Sequence, residues 1–153
     1  MTMIEGRCHC GAVRFTVNAD VPFETSRCNC SMCLPARFWK TIVPADAFTL
    51  EASGSLRTYR FGSGMIEHCF CGTCGVKTHG QGEMEGIGPF VAVNVASLDL
   101  APDVLAELPV EYQDGARDAH ERAPSTSEHL WARSEVPPHR VRVSSGERRD
   151  EAC

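Results

Sequence analysis

Nine cysteines in 153 residues constrain this chain more than any other feature, because eight of them fall into three tight groups. The groups are Cys8 with Cys10, Cys28 with Cys30 and Cys33, and Cys69 with Cys71 and Cys74; only Cys153 stands apart. The chain opens with MTMIEGRCHC, which lacks the apolar core of a secretory signal. A cytoplasmic location is therefore expected. There, thiols stay reduced and serve metals or catalysis rather than disulfides.

Zinc takes four ligands in a tetrahedron, and short Cys-x2-Cys hooks supply two at a time. Cys71-Gly-Thr-Cys74-Gly75 is such a hook, its glycines letting the chain turn back and aim backbone N–H groups at sulfur. Cys8-His-Cys10-Gly11 offers another device: on an extended strand, residues i and i+2 share a face, so both sulfurs can reach one ion. The two pairs together make four thiolates from distant segments, the donor set of a structural zinc staple. Four buried, reduced cysteines are the alternative.

Cys28-Asn-Cys30-Ser-Met-Cys33 supplies three sulfurs and no obvious fourth ligand, which is the pattern of a catalytic zinc with an open position. Three thiolates leave a site of net charge −1, unsuited to activating water and better suited to holding a substrate thiol as thiolate. Arg27, Arg37 and Lys40 flank the trio, and no acidic residue occurs between Glu24 and Asp46. Those cations are candidates to hold an anionic substrate, with ordinary surface charge as the alternative. Cys69 would close a second four-sulfur site if it joined the trio; as a strand neighbour of Cys71 it is read instead as a buried small hydrophobe. His9 and His68 are candidate ligands or proton carriers, with a packed, hydrogen-bonded neighbour as the alternative; neither is assigned, and the proton carrier is not identified.

The rest of the sequence bounds the fold. GAVRFTV at Gly11 to Val17, parts of Leu56 to Phe61 and of Met65 to Phe70, and FVAVNV at Phe90 to Val95 read as strands. Pro44 to Phe48 can make a helical turn, and Ser31 to Phe38 a short helix with Pro35 in its first turn. The expectation is one mainly β domain of short antiparallel strands, not a doubly wound fold. His79 to Gly88 is rich in glycine but lacks the context of a dinucleotide loop, and reads as a flexible loop. Phe38 and Trp39 are assigned to the core. From Asp114 onward 15 of 40 residues are charged, seven Arg against eight Asp and Glu, so Ala132 to Cys153 reads as a solvated tail, with Trp131 a candidate anchor. A net charge of −5 disfavours nucleic acid and anionic membranes, and no apolar stretch is long enough for a membrane helix.

Three ordered motifs, GRCHCGAVRF at Gly6 to Phe15, CNCSMC at Cys28 to Cys33 and HCFCGTCGV at His68 to Val76, resemble the glutathione-dependent formaldehyde-activating enzyme family, which includes the centromere protein V domain. AVNVASLD at Ala92 to Asp99 and PVEYQDGARD at Pro109 to Asp118 resemble its less characterised bacterial branch. The resemblance covers residues 4 to about 130. It implies a zinc-binding β-tent fold over 1–130; the flexible polar tail over 131–153 is read from composition alone, and the stretch past Trp131 matches nothing in the family. The resemblance also implies two zinc ions, a structural one on Cys8, Cys10, Cys71 and Cys74 and a catalytic one on Cys28, Cys30 and Cys33. The implied activity is that of a carbon–sulfur lyase joining glutathione to formaldehyde. Cys69 departs from the family, which usually carries an aromatic residue there. Two other readings stand beside this one: a non-catalytic, zinc-stapled binding or scaffold module, and, more weakly, a methionine sulfoxide reductase on a similar fold.

Overall fold

The computed structural model describes residues 1–117. Ten strands follow one another: β1 (Thr2–Arg7), β2 (Val13–Ala19), β3 (Thr25–Cys28), β4 (Trp39–Pro44), β5 (Phe48–Ser53), β6 (Leu56–Tyr59), β7 (Glu67–Cys71), β8 (Lys77–Met84), β9 (Gly88–Asn94) and β10 (Val110–Gln113). One short helix, α1 (Pro102–Glu107), interrupts them before β10, entered through a proline whose missing N–H costs a first helical turn nothing. The strands form a three-stranded sheet, β1-β2-β5, and a seven-stranded one in the order β10-β3-β4-β9-β8-β7-β6. The fold is thus mainly β, as the patterning indicates, and antiparallel but for β10, which runs parallel to β3. That pairing brings the segment after α1 back alongside the strand that ends in Cys28.

Alternation along β2 buries Val13, Phe15 and Val17 while Arg14 and Asn18 face water. Phe15 and Val17 meet Ile4, Val43, Val91, Val93 and Leu98 between the two sheets, where each fully buried aliphatic or aromatic side chain contributes about 1.5–3 kcal/mol. A second, smaller cluster joins Cys8 and Val13 to Cys71, with Leu56, Cys74 and Val76 packed on it. The two sheets therefore meet at one end around these cysteines.

Two local expectations are corrected. Residues His79 to Met84 are not a loop but most of β8, hydrogen-bonded between β7 and β9. The glycine at position 82 answers to close packing: a Cβ there would meet Ile66 Cδ1 and the Met65 carbonyl oxygen, each at 2.8 Å. Ser31 to Phe38 forms consecutive turns rather than a helix, with Leu34 N–H donating to the Cys30 carbonyl at 3.1 Å and Phe38 N–H to Cys33 at 3.0 Å. Pro35 has no N–H with which to continue a ladder, and Arg37 then adopts a left-handed φ of 49°. The helical turn expected near Pro44 is present at Ala45–Ala47. Trp131, Cys153 and the polar tail lie outside the described residues.

Candidate metal centres

The first cluster is built by two turns at the ends of strands. Cys8 follows β1 directly and enters a tight turn, with Gly11 N–H donating to the Cys8 carbonyl at 3.1 Å and Gly11 at a φ of 76°. Cys8 and Cys10 are thus presented by a turn, not by the shared face of an extended strand as their spacing suggested. At that left-handed φ only glycine turns the chain without strain, which lets Cys10 fold back toward Cys8. Cys71 closes β7, and Gly75, with a φ of 74°, donates to the Cys71 carbonyl at 2.8 Å.

The four sulfurs of Cys8, Cys10, Cys71 and Cys74 all lie within 4.8 Å of one another. Cys10 Sγ is 3.6 Å from both Cys8 Sγ and Cys71 Sγ. A tetrahedron with zinc–sulfur bonds of 2.3 Å places its sulfurs about 3.8 Å apart, so the donor set fits zinc in number, element and spacing. Backbone donors complete it. Val13 N–H points at Cys8 Sγ at 3.3 Å, and the Val76 N–H is foremost in drawing the Cys74 thiol down to about 6.

Cys28, Cys30 and Cys33 form the second cluster, their sulfurs also within 4.8 Å of one another. The Cys30 N–H donates to Cys28 Sγ at 3.4 Å and the Cys33 N–H to Cys30 Sγ at 3.3 Å. The Cys30 thiol is held below its ordinary range because Cys28 and then Cys33 donate to its sulfur. Cys33 is correspondingly pushed up, first by Cys28. Cys69 belongs to neither cluster among the described residues. It is buried, its thiol donates to the Glu67 carbonyl oxygen at 3.7 Å, and the β7–β8 register shifts between Cys69 and Phe70.

The loop carrying the trio is clamped by the segment after β10. Asn29, between the first two cysteines, donates from Nδ2 to the buried Asp114 carboxylate at 2.8 Å, and its Oδ1 accepts from Ala116 N–H at 2.9 Å. Its own N–H donates to the Gln113 carbonyl at 3.2 Å. Of the three flanking cations, Lys40 donates to Gln113 Oε1 at 3.0 Å while still acting on the Cys33 charge. Arg27 lies over the Trp39 ring at 5.1 Å, and Arg37 is exposed. Phe38 is buried, as expected, and Trp39 is half-buried with its indole N–H on Thr25 Oγ1 at 2.7 Å.

Sequence reasoning missed one neighbour of the trio, Lys77, and left another, His68, unassigned. Lys77, at the start of β8, is half-buried beside Cys33 and Cys30, and its Nζ lies 2.9 Å from His68 Nδ1. Burial is the main cause that brings the His68 imidazole down to about 4, with the Lys77 charge second, so the ring is neutral at physiological pH. Neither residue is near the trio in sequence, and only the pairing of β4, β9, β8 and β7 assembles them.

Comparison with known proteins bears on the fold and the family. A crystal structure of a Rhodobacter sphaeroides protein superposes with a TM-score of 0.59 at 31% identity, covering 69% of this chain and 98% of that one. A protein of Halomonas elongata, named provisionally as a glutathione-dependent formaldehyde-activating enzyme, is 55% identical over 31 residues. That stretch is a fifth of each chain. No helix among the described residues is long and apolar enough to cross a membrane. Residues 3–112 match the family model described as glutathione-dependent formaldehyde-activating enzyme, and the chain belongs to that family.

Proposed function

We propose that this chain is a zinc-dependent carbon–sulfur lyase that makes or breaks the bond between a thiol, glutathione foremost, and a small aldehyde. One observation carries the reading: three sulfurs converge at Cys28, Cys30 and Cys33, with no fourth His, Cys, Asp or Glu joining them among the described residues. Zinc held there would supply an open position at which a substrate sulfur stays deprotonated. Cys8, Cys10, Cys71 and Cys74 would hold a second, structural zinc. Around the trio, Lys40 with Arg27 and Arg37 offers positive charge for the two carboxylates of glutathione. The family model and the Halomonas elongata relative point to the same pair of substrates.

The rival reading, a scaffold with two closed metal sites, needs Cys69 as a fourth ligand, and Cys69 stands outside the trio among the described residues. Cobalt substitution tests the proposal directly. Titrating glutathione into the cobalt-loaded protein should shift the visible ligand-field bands and strengthen sulfur-to-metal charge transfer. An unchanged spectrum at saturating glutathione refutes sulfur entry at the trio.

A further inference from the structure

We infer that Lys77 is the catalytic donor that receives the aldehyde oxygen, and that His68 is the residue that positions it. This inference rests on the carbon–sulfur reading above and names residues which that reading leaves unassigned.

Three observations carry it. First, Lys77 is a half-buried cation whose close contacts are not anions: the His68 Nδ1 at 2.9 Å and the face of the Phe38 ring at 3.9 Å. Among the described residues no carboxylate forms an ion pair with it. Burial chiefly lowers this ammonium below its usual range, the titratable groups around it being Cys33 and Cys30 of the trio, Lys40 of β4 and Cys69 of β7; the Phe38 under it donates its own N–H to the Cys33 carbonyl at 3.0 Å, which ties Lys77 to the loop of the trio. Second, its position is fixed from both sides. Asn94 Nδ2 donates to the Lys77 carbonyl at 2.7 Å, and the His68 ring is stacked on Phe61 at 5.3 Å between centroids. Third, the other cations around the trio, Lys40 on Gln113 and Arg27 on Trp39, are already given the carboxylates of the thiol, which leaves Lys77 for the aldehyde oxygen.

The step balances without a further reactant. A thiolate sulfur adds to the carbonyl carbon, the carbonyl π pair moves to oxygen, and a Lys77 N–H proton passes to that oxygen to give a hydroxyl. The proton that the thiol gave up restores the ammonium, so thiol plus aldehyde yields the hydroxylated thioether with nothing oxidised or reduced. His68 Nδ1, accepting one ammonium proton, leaves the others directed away from the ring. A preorganised donor of this kind is worth roughly 10²- to 10³-fold in turnover.

The test uses the zinc-loaded full chain with glutathione and formaldehyde, adduct exchange being followed by NMR, alongside zinc content, melting and the cobalt-band titration. Lys77→Met should keep both zinc ions, melt normally and bind glutathione within about threefold of wild type, yet lose roughly 100-fold in kcat. Lys77→Arg should recover part of that loss. His68→Gln, whose amide oxygen still accepts from the ammonium, should stay within about tenfold, whereas His68→Leu should lower kcat with KM unchanged. Wild-type turnover matched by Lys77→Met refutes the assignment alone, as does loss of zinc or of the cobalt response in that variant. A wild type that forms no adduct refutes the carbon–sulfur reading and the assignment with it.

Discussion

Replacing Cys71 by serine should unfold this protein, while replacing Cys30 should not, and the difference follows from what each cluster spans. Cys10 and Cys71 are 61 residues apart in sequence, and their turns join the β1-β2-β5 sheet to the far end of the larger one. Closing a loop of that length costs about 4 kcal/mol of chain entropy, which a cross-link removes from the unfolded state. The same relation gives only about 2 kcal/mol for the short Cys28 to Cys33 loop. Metal binding contributes more than loop closure does, since a structural zinc site is worth on the order of 10 kcal/mol against a total stability of roughly 5–15 kcal/mol. Cys71 is also fully buried against Cys8 and Val13, so a serine hydroxyl there loses about a further 1–3 kcal/mol. Cys71→Ser is therefore expected to be insoluble or unfolded. Cys30→Ser should stay folded, carry about one zinc instead of two, and melt within about 10 °C of wild type. Zinc analysis and thermal melting of both variants, purified in parallel, decide the matter. A folded, two-zinc Cys71→Ser refutes the staple, and a Cys30→Ser that unfolds equally refutes the division of labour between the clusters.

Asn29→Ala removes both bonds that tie the trio's loop to Asp114 and Ala116, so stability in urea should fall by about 1–3 kcal/mol and zinc should be lost from the trio at lower chelator concentration. Cys69→Ala should leave two zinc ions per chain, because that thiol lies in neither cluster; a drop to one by metal analysis contradicts its placement. His79 is buried against Phe15 and Phe48, and burial lowers its imidazole from 6.5 to about 4, so the folded state resists a proton that the unfolded chain accepts. Its contribution is intact above about pH 6.5 and lost as pH falls toward 4, about 2 kcal/mol by pH 5. A His79→Phe variant should accordingly show a shallower fall in stability between pH 7.5 and 5 than wild type, and parallel curves would contradict this.

The number and grouping of the cysteines determined the sulfur clusters before any fold was known. Spacing alone separates a hook such as Cys71 and Cys74 from a chance pair, because two ligands three residues apart reach one ion whatever surrounds them. Strand periodicity is equally local, so β2, β6, β7 and β9 are legible from alternation. The glycine-rich run from His79 does not read as a strand because its glycines answer to Ile66 and the Met65 carbonyl on a neighbouring segment, which composition cannot express. The approach of Lys77 and His68 to the trio turns on the order of four strands. The parallel return of β10, which sets Asp114 against Asn29 across 85 residues, is likewise a product of topology. Metal ligation by short motifs is a property of a few consecutive residues and so is written in the sequence. The charge that surrounds a metal is contributed by side chains far apart along the chain, and the packing of the sheets decides which of them arrive.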